Sequence, residues 1–111
     1  HPKFGFIHRL NFKHYKLLNF KESSMFSMHF HREKDETWFV LSGKFIVKWI
    51  DTKDATEHEK ELKVGDTWHN PPLLPHQVIC LEEGSLVEVS TADSVEDNYR
   101  VRPGDSQNAQ K

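Results

Sequence analysis

Short segments of strand-forming residues follow one another through the middle of the chain, with turn-forming residues between them. The segments are rich in β-branched and aromatic residues, and none shows convincing helical spacing. The predicted strands cover residues 23–31, 36–42, 44–51, 59–64, 76–81 and 86–91. Ser42-Gly43 is a tight hairpin signal, and residues 82–85 join the last two strands. This succession predicts an all-β sandwich or barrel.

The length of the chain predicts one domain. A chain of 111 residues is large enough to bury a core of its own. We assign residues 1–111 to a single domain whose core spans about residues 23–91. Residues 8–19 fit either a strand pair or an irregular lead-in. The tail from residue 98 is polar, and we expect residues 104–111 to be mobile.

Charge and composition argue against several classes of partner. The net charge is −2, from 15 basic and 17 acidic residues, and no basic run resembles a nucleic-acid-binding arm. No apolar stretch approaches the length of a membrane span. The single cysteine, Cys80, cannot form an intramolecular disulfide, which fits a reducing compartment. We therefore expect a cytoplasmic protein with no nucleic-acid or membrane partner.

Four potential metal ligands lie in two segments of the chain. His29 and His31 are two residues apart, so in a strand their side chains point to the same face. A hairpin can return Glu36 beside them, and His76 follows a proline-rich segment. Neutral imidazoles with one carboxylate suit Mn, Fe, Co, Ni or Zn. We predict one divalent transition metal bound by His29, His31, Glu36 and His76.

The acidic ligand has two competitors in the same charged turn. Glu33 and Asp35 lie next to Glu36 in the sequence, and a register slip of one residue would change which side chain meets the histidines. The remaining histidines show no ligand pattern, and we expect them to be exposed or locally hydrogen-bonded. They are His1, His8, His14, His58 and His69.

The same residues resemble the two motifs of the cupin family. Residues 29–43 follow His-x-His-x4-Glu-x6-Gly, as in the first motif, although Ser23 stands where a leading glycine is usual. Residues 65–76 are similar to the second motif, with Leu73 in place of a glycine, and Cys80 replaces an asparagine. The resemblance covers roughly residues 23–91 and retains all four ligand positions. It implies a small double-stranded β-helix, or jelly-roll barrel, with a metal inside its mouth.

Within the cupins, the chain looks most similar to the C-terminal isomerase domain of type II mannose-6-phosphate isomerases. Residues 28–45 and 86–105 carry this likeness, with a weaker match at residues 2–10. The resemblance implies a metal-dependent isomerase that acts on a sugar phosphate. In that family an acidic cluster precedes an arginine, which would place Arg100 or Arg102 on the substrate phosphate.

Several assignments near this site stay open at the level of sequence. Trp38 and Trp49 are candidate contacts for a sugar ring, although such residues more often pack into a barrel core. Arg100 and Arg102 could equally belong to a solvated tail. No residue stands out as a general base once Glu36 and the histidines bind metal. A cupin dioxygenase using Fe(II) and a non-catalytic sugar- or metal-binding module are therefore alternative functions.

Strand parity predicts a second apolar surface. Glu36 and Trp38 share one face of their strand, while Phe39 and Leu41 take the opposite face. One small barrel cannot bury both faces, so the outward one requires another cover. We predict a homodimer through the outward residues around Phe39 and Ile46.

Overall fold

The computed structural model describes residues 14–91 and 96–102, which form seven β-strands. The strands are β1 (His14–Phe20), β2 (Met28–Phe30), β3 (Glu36–Asp51), β4 (Thr56–Leu62), β5 (Thr67–Asn70), β6 (His76–Ser90) and β7 (Tyr99–Arg102). All their pairings are antiparallel, so the all-β prediction is confirmed. In the described part of the chain, no helix is long and apolar enough to cross a membrane.

Two long strands, β3 and β6, organise the fold. They pair with each other along most of their length, from Glu36 opposite Ser90 to Trp49 opposite His76. On the free edge of β3, β5 pairs with the first half and β4 with the second half. On the free edge of β6, β1 pairs with the second half and β2 with the first residue, and β7 pairs with β2. The sheet therefore wraps into the order β4-β3-β6-β2-β7.

The predicted hairpin at Ser42-Gly43 is wrong, and residues 82–85 do not connect two separate strands. Both segments lie inside continuous strands, where the register between β3 and β6 shifts. Gly43 has a φ of 82°, and a Cβ on Gly84 would lie 2.1 Å from the carbonyl oxygen of Ser42. The glycines thus let two backbones approach and bend together. The same residue types that close a hairpin here form the corner of a long strand pair.

Smaller differences concern the ends of the other strands. The predicted strand at residues 23–31 is reduced to β2, preceded by an isolated bridge from Met25 to Ile79, and Ser23 has a φ of 71°. Residues 14–20 form a strand, whereas residues 8–13 and 104–111 lie outside the described residues. Part of the tail expected from residue 98 forms β7. The assignment of residues 1–111 to one domain stays a prediction.

Burial alternates along the long strands, as the predicted parity requires. In β3, Trp38 and Val40 are buried before the bend, and Phe45 and Val47 are buried after it. The step from residue 40 to residue 45 is odd, so only the register shift at the bend keeps both halves facing the interior. The resulting core consists of Phe20, Trp38, Val40, Phe45, Val47, Leu62, Val78, Cys80 and Leu86.

Candidate metal centre

The four predicted ligands meet at one end of the barrel. His29 lies in β2, His31 just after it, and Glu36 and His76 begin β3 and β6. One potential ligand atom from each residue lies within 4.8 Å of the other three. Glu36 Oε1 is 3.1 Å from His31 Nε2 and 3.4 Å from His76 Nε2. His29 is the backbone partner of His76, which brings the two strands' imidazoles together.

A shared hydrogen-bond pattern orients the three imidazoles. In each ring, Nδ1 bonds a backbone carbonyl: that of Ser27 for His29 at 2.9 Å, that of Asp97 for His31 at 2.6 Å, and that of Leu74 for His76 at 2.8 Å. A carbonyl can only accept, so Nδ1 carries the proton and donates. In the neutral ring this leaves the Nε2 lone pair free to bind a cation. Backbone bonds of this kind are typical of metal-binding histidines.

Two buried polar atoms at the centre have no hydrogen-bond partner. They are Glu36 Oε1 and His76 Nε2, which lie close together but without hydrogen-bond geometry. Leaving such an atom unsatisfied typically costs about 1–3 kcal/mol. A cation between the donors would satisfy both, and ligands around an ion bound at about 2.0–2.2 Å are themselves about 3 Å apart. The residues therefore fit a divalent transition metal.

The charge states of the donors also suit a cation. Burial, with the neighbouring His76 and His31, lowers the pKa of His29 to about 4, so His29 is neutral at pH 7. Burial alone would raise the pKa of Glu36, but the adjacent His31 and His76 outweigh it and lower this pKa. Burial opposes protonation of His31, yet Glu36 and the Asp97 carbonyl raise its pKa. A metal at Nε2 of His31 therefore competes with a proton for the same lone pair.

The two competing carboxylates lie away from the cluster. Glu36 is 2% exposed and faces the histidines. Asp35 instead pairs with the side chain of His69 at the surface. Glu33 lines an outer cleft together with Arg32. The structure thus brings together the predicted set and neither alternative acid.

A buried ion pair beside the ligands was missed by the sequence analysis. Lys34 Nζ lies 3.0 Å from Glu88 Oε2, and both side chains are almost fully buried. Burial and the nearby Glu36 raise the pKa of Glu88. Strand parity could have placed Glu88 inside, because it shares a face with Leu86 and opposes Trp38 in register. The burial of Lys34 could not be predicted, since this residue lies in a charged turn whose side chains are expected to be exposed to solvent.

Trp38, a predicted sugar contact, lies inside the barrel against a ligand. Its side chain is 1% exposed, and its Nε1–H donates to Glu36 Oε2 at 3.0 Å. This bond occupies one carboxylate oxygen and leaves Oε1 towards the histidines. Trp49 is only partly buried, with its ring 4.6 Å from that of Trp68 and 5.5 Å from that of His58. The two tryptophans thus occupy different environments.

The two predicted phosphate contacts lie on β7 with exposed side chains. Arg100 is the backbone partner of His29, which places it on the strand next to a ligand. Arg102 pairs with Glu57 of β4, at 2.6 Å between Nη2 and Oε2. This ion pair joins the two terminal strands of the sheet order. Because the guanidinium of Arg102 is already paired with Glu57, it is less available to bind a substrate phosphate.

Replacing Trp38 with phenylalanine is expected to weaken metal binding about 10- to 100-fold. The change keeps the aromatic packing but removes the N–H donor that orients Glu36. Trp68→Phe is the matched control, because it removes a similar N–H bond, of 2.7 Å to Asn70 Oδ1, outside the ligand set. Competition against a chelating indicator measures both affinities. Equal affinities in the two variants would contradict this role for Trp38.

Comparison with known protein families and solved structures supports the cupin fold. Residues 16–92 match the cupin domain family, so the chain belongs to the cupins, and the predicted jelly-roll class is confirmed. Solved structures of oxalate decarboxylase from Bacillus subtilis are similar. One, studied for its Mn(II) centres, has a TM-score of 0.70 and 20% identity over 78% of this chain and 23% of its own. Another, determined at pH 4.6, has a TM-score of 0.67 and 22% identity over 84% and 25%.

These likenesses extend to the fold and no further. This chain spans about a quarter of the length of the solved chains that it matches. No curated protein sequence matches the chain. The closer resemblance to mannose-6-phosphate isomerases therefore stays a hypothesis.

Proposed function

We propose that this cupin binds one divalent transition metal through His29, His31, Glu36 and His76. The observation that carries the proposal is the orientation of the three imidazoles, whose Nδ1 atoms are all bonded to backbone carbonyls. The Nε2 atoms of His31 and His76 lie 3.1 and 3.4 Å from Glu36 Oε1, which is buried without a hydrogen-bond partner, and a ring nitrogen of His29 lies within 4.8 Å of these donor atoms. A protein that needed these histidines only for packing would have no reason to gather four donors around one point.

We further propose that the metal serves a metal-dependent isomerase of a sugar phosphate. When bound, the metal would act as a Lewis acid on a carbonyl oxygen of the substrate. His29 is the only one of the four ligands that is partly exposed, so the substrate would approach from its side. Arg100 lies on the adjacent strand with an exposed side chain, where it can bind a phosphate. Trp49 and Trp68 supply aromatic surface for a sugar ring.

A dioxygenase using Fe(II) is the second candidate. The ligand set is as compatible with a dioxygenase as with an isomerase, because three imidazoles and one carboxylate hold Fe(II) as well as they hold Mn or Zn. A buried lysine–glutamate pair beside the ligands adds polar groups that either reaction can use. A non-catalytic sugar- or metal-binding module has the same ligands and is separated from both enzymes by turnover alone.

The test is a turnover assay on protein loaded separately with Mn, Fe, Co, Ni and Zn. Conversion of a hexose or pentose phosphate between aldose and ketose supports the isomerase. Oxygen uptake with a small organic acid, and no sugar conversion, would instead establish the dioxygenase. Binding of sugar phosphates without any turnover would support the non-catalytic binding module.

Arg100→Ala is expected to raise KM for the sugar phosphate about 10- to 100-fold, since a charged hydrogen bond contributes about 1.5–3 kcal/mol. The metal content should not change, because the substitution removes substrate binding and no ligand. Lys60→Ala, which removes an exposed cation from β4, is the control and should keep the wild-type KM. An unchanged KM in Arg100→Ala would remove Arg100 from the site.

We also propose that the chain forms a homodimer. Leu17, Val87 and Phe39 are successive cross-strand partners, and Leu17 is 58% exposed. Leu41, also on the outward face of β3, is 47% exposed. Ile46 lies on the other side of the Gly43 bend, so the dimer surface that we favour is on the part of the sheet that contains Phe39.

Light scattering at micromolar concentration should give twice the chain mass for the wild type, and Leu17→Glu should give monomers. A monomeric wild type would refute the dimer.

A further inference from the structure

Asp97 reaches back to the loop between two of the metal ligands. Its carboxylate accepts the backbone N–H groups of Arg32, Glu33 and Lys34 at 2.7, 3.1 and 3.0 Å. These three residues form most of the loop between His31 and Glu36. Asp97 lies outside the segment that matches the cupin family, residues 16–92. A residue beyond that segment therefore fixes a loop within it.

The same residue also contacts a ligand directly. The backbone carbonyl of Asp97 accepts the Nδ1–H of His31 at 2.6 Å, which sets the direction of the ring. The carboxylate and the carbonyl of one residue thus hold both His31 and the chain that leads from it to Glu36. Loss of the carboxylate would leave three N–H donors without their acceptor and would let this loop move.

Among the residues that the structure describes, Asp54 and Asp66 make local versions of this contact. Asp54 accepts the N–H of Thr56, two residues away, in the turn between β3 and β4. Asp66 accepts the N–H of Lys63, three residues away. The bonds of Asp97 span 63 to 65 residues and end next to a ligand. An ordinary turn cap stabilises its own turn, whereas Asp97 joins two distant segments at the metal centre.

We propose that Asp97 is a positioning residue for the metal centre, holding His31 and Glu36 at the separation that a cation requires. The proposal rests on the proposed metal site. It assigns to the segment that leads into β7 a role in metal affinity. Partners that orient ligands in this way change metal affinity about 10- to 100-fold when they are lost.

The experiment titrates wild-type, Asp97→Ala, Asp97→Asn and Asp54→Ala chains with Co(II), followed by visible absorption. Asp97→Ala should bind Co(II) about 10- to 100-fold more weakly, with an altered absorption spectrum, because His31 is no longer held. Asp97→Asn keeps one acceptor oxygen and should lose less. Asp54→Ala removes a cap of the same chemical type whose hydrogen bonds go to Thr56 and to no ligand, and it should keep the wild-type affinity and spectrum.

The outcomes separate this proposal from the metal site itself. Wild-type affinity and an unchanged spectrum in Asp97→Ala would overturn the positioning role and leave the metal site intact. A wild-type chain that binds no Co(II) would overturn both. If circular dichroism shows that Asp97→Ala does not fold, a folded Asp97→Asn chain decides the question by the same two readouts.

Discussion

Replacing His29 and His31 together with alanine is expected to abolish metal binding. Two of the four donors disappear, and the remaining Glu36 and His76 cannot enclose an ion. Metal content should fall from about one ion per chain to almost none. The measurement is elemental analysis after equilibration with a metal buffer and removal of loosely bound ions.

The control for this experiment is a second double substitution, His14→Ala with His69→Ala. Both of these histidines are exposed and lie outside the ligand cluster. The control chain should retain the wild-type metal content, which shows that the loss of any two histidines is not enough. Stoichiometric metal in the His29 and His31 double variant would refute the assignment of the site.

Replacing Gly43 with alanine is expected to produce a large loss of stability. A Cβ at this position would lie 2.5 Å from the carbonyl oxygen of Glu82 and 2.7 Å from that of Glu83. Neither backbone can yield without separating β3 from β6, because the two strands pair on both sides of the bend. The positive φ of 82° adds strain to the clash. We expect the free energy of unfolding to fall by more than about 4 kcal/mol.

Gly65→Ala is the matched control for this substitution. Gly65 also has a positive φ, of 92°, but a Cβ there would meet no atom within 4 Å. It should therefore cost only the conformational penalty, about 1–2 kcal/mol. Urea unfolding measures both losses. Equal losses in the two variants would show that the φ angle, and not the contact between the strands, determines the need for glycine at the bend.

The periodicity of the sequence predicts the fold class and the inward residues, but not the connections. Alternation alone places Trp38 and Val40 inside, and the structure agrees. It does not distinguish a chain reversal at Gly43 from a bend, since both need a glycine with positive φ. The decisive information is Gly84, about 40 residues away, which packs against the same point of the backbone. Such pairing between distant segments has no local signal.

The candidate site shows the same division between local and distant information. The spacing of His29, His31 and Glu36 is local, and it predicts which side chains gather. The groups that orient them come from elsewhere in the chain, as Asp97 does for His31. Glu88 enters the interior through its pairing with Trp38, which only the strand register establishes. The sequence therefore predicts the ligands better than it predicts the residues that hold them.

Anomalous diffraction from crystals grown with Mn(II), recorded at the Mn absorption edge, tests the metal centre most directly. The account predicts one strong peak per chain, about 2.0–2.3 Å from the Nε2 atoms of His29, His31 and His76 and from a carboxylate oxygen of Glu36. The Nδ1 atoms should keep their bonds to the backbone carbonyls. A peak elsewhere on the chain, with none among these four donors, would contradict the account.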